Sequence, residues 1–160
     1  MLFNVKNFTR MFAVVVLVIG ATISIAQAED GQKRMVSNAR WKNECGACHI
    51  AYPPRMLPAE SWRAIMSGLG KHFGSDASLD AASASEITTF LEKNASTKKH
   101  EVLDKPLLRI TETRWFKSEH RKVDERDWKN PKVKSTSNCG ACHTKADSGD
   151  FDEDNVKIPK

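Results

Sequence analysis

Two copies of one pentapeptide constrain this chain more than anything else in it: Cys45-Gly46-Ala47-Cys48-His49 and Cys139-Gly140-Ala141-Cys142-His143. Between them they use all four cysteines of the 160 residues. Cys-x-x-Cys-His is the attachment signature of c-type haem, in which each thiol bonds one vinyl group and the adjacent histidine becomes an axial iron ligand. The two-residue gap sets both sulfurs along one edge of the macrocycle, with the histidine beneath the iron. Other uses of this spacing fit worse. A thioredoxin-like pair wants a surrounding βαβ pattern and no histidine after its second cysteine. A zinc site would leave the repeated histidine unexplained. The expectation is two covalent haems c, one on Cys45 and Cys48 and one on Cys139 and Cys142, with His49 and His143 as proximal ligands.

The amino-terminal segment points to export. Lys6 and Arg10 precede Met11 to Ala26, 16 residues without a charge, and Ala26-Gln27-Ala28 then presents a small-x-small pattern before Glu29-Asp30. The apolar stretch is shorter than the ~20 residues of a spanning helix, and Thr22 and Ser24 weaken it further. Residues 1–28 therefore read as a cleaved signal peptide, with no stable membrane insertion afterwards; a retained anchor is the alternative. Cleavage removes two bases and no acid, taking the formal charge from +5 to +3. About 132 residues remain, a length that buries only around two-thirds of its unfolded surface. Such a chain needs help to hold a core, and the cofactors supply it. No nucleic-acid motif is present, and nucleic acid is not expected as a partner.

Hydrophobic spacing predicts a mainly α chain with long irregular connections. Ser37 is placed to cap a short helix that delivers Cys45. Pro53 and Pro54 stiffen an extended segment after His49. Pro58 suits the first turn of a second helix with Trp62, Ile65, Met66, Leu69 and Phe73 at helical spacing. A third helix is expected over about Leu79 to Lys93, with Ser83 and Glu86 as a capping box and Ile87, Phe90 and Leu91 buried. Asn94 to Pro106 reads as a linker. A short helix from about Thr111 to Val123 follows, then an irregular stretch around Trp128 and Pro131. The acidic tail, Asp147 to Asp154, reads as solvated. The distribution suggests two haem-centred modules, about 29–97 and 98–160.

The sixth iron ligand separates electron transfer from chemistry at an open site. Two haems create a demand for two ligands beyond His49 and His143, and three histidines remain. His72 lies in register with Ile65 and Leu69, and His120 lies four residues after Phe116. His100, in Lys98-Lys99-His100-Glu101, has no apolar company. Among the methionines, Met35 sits in a polar context, Met56 is only seven residues from His49, Met66 suits core packing, and none lies beyond Met66. Bis-histidine coordination follows, with His72 on the first haem and His120 on the second. It leaves no open coordination site, so no catalytic residue is expected.

The residues around these motifs look familiar as a set. Glu44 to Pro54, Leu57-Pro58, Ser61-Trp62-Arg63, His72-Phe73-Gly74 and Asp76 to Leu79 resemble the bacterial dihaem cytochrome c family. So do Arg109-Ile110-Thr111, Trp115-Phe116, Glu119-His120-Arg121, Asn138 to Thr144 and Phe151-Asp152-Glu153. The resemblance covers essentially all of residues 41–159. It implies a periplasmic, low-potential, bis-histidine electron carrier, with an N-terminal module like a small class I cytochrome c and a more irregular C-terminal one with short helices. The partner it implies is another c-type haem protein or a membrane b-type cytochrome. His72 and His120 fall on the family's recurrent histidines, and His100 does not.

The alternatives are an electron-delivering dihaem subunit of a periplasmic reductase of the nitrate reductase kind, and a dihaem peroxidase. The second needs a displaceable ligand, which four available histidines oppose. Lys93 to Lys134 holds 13 Lys/Arg against 7 acids, so a basic face could dock an acidic redox partner, or form a mixed solvated surface. The paired motifs make a direct prediction. The matured protein keeps two haems through denaturation and acid–organic extraction, and changing Cys139 or Cys142 to Ser weakens stable attachment of the second haem alone. Intact mass with a pyridine haemochrome count checks it, and fewer than two haems in the unchanged protein refutes the assignment.

Overall fold

The computed structural model describes residues 37–98 and 105–160, which together lie within one compact unit, residues 34–160. The expected signal peptide, Met35 and His100 fall outside the described residues. Among those described there are five α-helices, several 3₁₀ turns and no strand, the mainly α architecture expected.

Helix α1 (Ala39–Cys45) is capped by Asn38, whose side chain accepts from the Trp41 N–H. Asn38 takes the place expected for Ser37, because an Asx oxygen one residue later reaches the orphan donor. Pro58 lies one position outside α2 (Ala59–Ser67), where its missing N–H costs nothing. Helix α2 stops at Gly68, so it does not carry its apolar pattern through to Phe73. Helix α3 (Ala81–Lys93) is capped by Asp80, which accepts from the N–H groups of Ala82 and Ser83. The expected Ser83–Glu86 box does not form. Ser83 donates instead to Asp80, and Glu86 pairs with Arg40 on α1 at 2.8 Å.

The core lies in the first half: Trp41, Leu57, Trp62, Ile87 and Leu91 are buried together, with Ile65, Met66 and Phe90 packed against them. Between α1 and α2 the chain makes a strap in which Pro53, Pro54, Met56 and Leu57 are all buried. The Trp62 indole donates to the Pro54 carbonyl at 2.6 Å, and Ser96 N–H donates to the Leu57 carbonyl at 2.9 Å.

The second half is a chain of short turns. The helix expected over Thr111–Val123 divides into a 3₁₀ turn, Ile110–Glu112, and α4 (Arg114–Glu119), because Thr113 is extended and its hydroxyl accepts from Phe116 N–H as an N-cap. Helix α5 (Glu125–Trp128), capped by Asp124, occupies part of the stretch expected to be irregular. The acidic tail is not merely solvated. Asp152 caps a 3₁₀ turn at Glu153–Asn155, Asn155 donates to Asp150, and Lys157 N–H donates to the Cys142 carbonyl at 2.8 Å.

This division of the core carries a stability prediction. Ile87 is fully buried against α1 and α2, so Ile87→Ala costs about 2–5 kcal/mol through lost transfer energy and a residual cavity. Denaturant unfolding of the haem-loaded protein, with the m-value unchanged, checks it.

Candidate functional site

The two pentapeptides share a sequence and differ in backbone. In the first, Cys45 is the last residue of α1 and Gly46 its C-cap, with Gly46 N–H donating to the Lys42 carbonyl at 3.1 Å. A Cβ at Gly46 would run into that same carbonyl oxygen. In the second, Cys139–Ala141 is a 3₁₀ turn introduced by Asn138, and a Cβ at Gly140 would meet nothing closer than 4.0 Å. Burial, with a smaller push from the Glu44 carboxylate, raises the Cys45 thiol to about 11. Burial raises Cys139 as well, and also Cys142, where Asp127 adds to it. In these three, burial favours the neutral thiol over the thiolate.

At the first site His49 and His72 have ring centroids 6.3 Å apart, with planes 27° from parallel. His49 Nδ1 is 2.7 Å from the Ile50 carbonyl and Tyr52 stacks on its ring at 4.7 Å, so Nε2 is the nitrogen left for a metal. His72 is not on the face of α2. It follows the 3₁₀ turn Leu69–Lys71 and enters a reversal in which Phe73 (φ 50°) and Gly74 (φ 98°) are left-handed. Gly74 suits that conformation, whereas Phe73 adopts it at a steric cost. Phe73 packs edge-on to His72 at 4.9 Å, and the Arg109 guanidinium lies 4.1 Å from its ring centre. The Phe73 pairing with Arg109 had no signal in helical spacing. Burial, then the neighbouring His49, lowers the His72 pKa, and the neutral imidazole is the form that binds metal.

At the second site His120 and His143 have ring centroids 6.0 Å apart. His120 is the C-cap of α4. Its Nδ1 is 2.9 Å from the Phe116 carbonyl and its ring stacks on Phe116 at 4.0 Å, the i,i+4 contact expected of them. His143 lies beside Val156 in an isolated bridge, with Phe151 5.4 Å from its ring. Burial and His120 lower its pKa, with Asp150 opposing. The pentapeptide histidines and the two distal candidates are thus brought together in the pairs His49–His72 and His120–His143.

A cavity of about 420 Å³ opens at the second site, between Trp115, His120, Trp128, Cys139, His143 and Val156. Its walls are mostly apolar, and its volume falls within the ~300–1,000 Å³ of cofactor pockets. Met56, from the first half of the chain, also lines it. The short tether from His49 counted against Met56 as a ligand at the first site; the fold brings it instead to the second site, where the absence of methionines beyond Met66 had left none expected. The fit to a haem can be judged on three features. His143 Nδ1 is a buried polar atom with no hydrogen-bond partner, a state that is costly in a finished core. Two cysteines stand at the cavity rim. The ring separations at both sites suit one metal ion between two imidazoles, since metal–nitrogen bonds of about 2 Å on opposite sides put ring centres roughly 6 Å apart. These residues fit a haem at each site.

The comparisons agree. The family model for dihaem cytochrome c matches residues 41–151. A diheme cytochrome type c from Shewanella baltica OS155 is 42% identical, covering 76% of this chain and 93% of its own, with a TM-score of 0.67. A diheme cytochrome c from Rhodobacter sphaeroides is also 42% identical, covering 73% and 98%, with the same TM-score. A further structure from Rhodobacter sphaeroides is 45% identical, covers 73% and 99%, and has a TM-score of 0.64. No curated protein matches.

The difference between the pentapeptides predicts an asymmetry. Gly46→Ala must displace the end of α1 and so lowers haem loading at the first site, whereas Gly140→Ala leaves both sites loaded. Haem content per chain and peptide mass mapping of the two attachment sites check it; equal loading in the two variants refutes it.

Proposed function

The chain belongs to the dihaem cytochrome c family, with two haem c groups and a function in electron transfer, and from that premise we propose that it is a periplasmic carrier whose two haems are both bis-histidine ligated. His49 and His72 serve the haem on Cys45 and Cys48, and His143 and His120 serve the haem on Cys139 and Cys142. The observation that carries this reading is the approach of His49 to His72 and of His120 to His143 at nearly equal ring separations. Each bound haem supplies a one-electron iron couple.

The chain's own residues hold the ligands still around it. The carbonyls of Ile50 and Phe116 take the Nδ1 protons of His49 and His120, which fixes tautomer and ring orientation and makes the opposite nitrogens better ligands. Phe116 and Phe151 pack against the second pair and Phe73 against the first. With four histidines on two irons there is no open position for substrate, so electrons enter and leave at exposed edges. Trp115, 40% exposed and on the rim of the second cavity, marks such an edge. Among the described residues no helix is long and apolar enough to cross a membrane. The amino-terminal export pattern supports delivery to the periplasm, and membership of the family supports a redox partner that is another c-type haem protein or a membrane b-type cytochrome.

Ligation is tested spectroscopically. Both irons are expected low-spin in both oxidation states, with no methionine–iron band at the red edge of the spectrum, no carbon monoxide binding, and midpoints below those of His/Met cytochromes. His120→Ala turns only the haem on Cys139 and Cys142 high-spin and lets it bind carbon monoxide. If the other haem responds instead, the distal ligands are exchanged between the sites.

A further inference from the structure

The proposed ligand sets leave one side chain touching both sites. Tyr52, the chain's only tyrosine, lies on the His49 ring, 4.7 Å between centroids and 22° from parallel. Its hydroxyl donates to the Ser137 carbonyl at 2.7 Å, across 85 residues of sequence. That carbonyl oxygen also accepts from Cys139 N–H at 3.0 Å and has Cys139 Sγ 3.6 Å away. One aromatic ring therefore connects an axial-ligand candidate of the first haem to the loop that carries the attachment cysteine of the second.

The backbone around Tyr52 is built to keep it there. Pro53 and Pro54 follow it, both fully buried, and restrict the ψ of Tyr52 as well as their own φ. The Pro54 carbonyl is held by the Trp62 indole. Beyond the prolines, Arg55 donates to the Gly149 carbonyl at 3.1 Å and Met56 enters the wall of the second cavity. Three neighbouring side chains of the first half thus reach the second half, and Tyr52 alone of them also touches a candidate ligand.

We propose that Tyr52 is the residue that couples the two haems, positioning His49 against the Cys139 loop and supplying the shortest packed route for an electron between the sites. The inference rests on the bis-histidine reading above. The step is a one-electron exchange: one iron goes from ferrous to ferric, the other from ferric to ferrous, and no bond forms or breaks. Tyr52 keeps its proton throughout, in keeping with burial, which raises its phenol above the ordinary value.

The test uses the mature two-haem protein. Tyr52→Phe keeps the stacked ring and removes the hydroxyl, whereas Tyr52→Leu removes both. One electron is introduced by pulsed photoreduction, and its redistribution between the haems is followed by transient absorbance. In Tyr52→Phe the hydrogen-bonded link from the ring to the Ser137 carbonyl is replaced by a through-space gap, and redistribution slows by roughly threefold to tenfold. In Tyr52→Leu it slows further. Tyr52→Phe retains two low-spin haems, so a slower rate in that variant is not a loss of fold or of haem. Redistribution within about twofold of the unchanged protein in Tyr52→Phe overturns the proposal, and that variant decides the matter should Tyr52→Leu lose a haem. Failure of the bis-histidine reading shows separately, as high-spin iron in the protein without any substitution.

Discussion

The two halves of this molecule depend on the burial of one short strap, Pro53 to Leu57. Burying backbone is expensive when donors and acceptors lose water, at about 1–3 kcal/mol for each group left unpaired. Two consecutive prolines lower that demand, since neither brings an N–H. Their carbonyls are met by Met56 N–H, Leu57 N–H and the Trp62 indole. The strap can therefore lie in the core of the first half while Tyr52, Arg55 and Met56 extend from it to the second. Beside it, the halves also meet where Arg109 lies over Phe73 and Ile110 packs against the first core.

The halves differ in how they are filled. The first has a side-chain core, Trp41 and Trp62 against Ile87 and Leu91, with α2 and α3 to frame it. The second has Phe116, Val133 and Ala146 buried and no comparable cluster among the described residues. Its larger apolar side chains, Trp115, Trp128, Phe151 and Val156, line a cavity instead. A chain of this length that turns its aromatic residues towards a cavity has assigned the centre of that half to a cofactor. This accounts for the many capped turns there. Asn138, Asp124, Thr113 and Asp152 satisfy backbone locally where no long helix does so.

The parts of this arrangement legible in the sequence were those that depend on chemistry or on long periodicity. The attachment cysteines and adjacent histidines are a spaced chemical signature, and Ile87, Leu91 and Trp62 follow from helical spacing. Helix starts were displaced by one to three residues, because Asn38 and Asp80 compete with nearby serines as caps and only the path of the entering chain decides between them. Two helices also stopped four to six residues early, α2 at Ser67 and α4 at Glu119. His72 was expected by extending the α2 pattern through Gly68. The helix ends there, and the histidine arrives through a left-handed turn that no periodicity describes. The fold of the acidic tail over His143 was likewise invisible, since its contacts are backbone bonds to Cys142 and aromatic packing by Phe151. Tyr52 carried no signal at all, because its partners are 3 and 85 residues away in opposite halves of the chain.

The pairing of histidines shows how little of such a site is set by chain length. His49 to His72 and His120 to His143 each span 23 residues, whereas the crossed pairs would each span 71. At about 0.6 kcal/mol for each doubling of a loop, this favours the uncrossed pairs by only ~1 kcal/mol apiece. A single off-register side chain could cancel that. The local geometry is more decisive. The reversal at Phe73–Gly74 places His72 6.3 Å from His49, and the cap of α4 stacks His120 on Phe116 within 6.0 Å of His143. The left-handed Phe73, whose ring is held between His72 and Arg109, costs of order 1–3 kcal/mol in backbone strain. That is as much as the loop entropy contributes. A strained residue beside a ligand candidate persists only where the surrounding packing repays it, and here that packing is the His72 edge contact and the Arg109 guanidinium on the Phe73 ring.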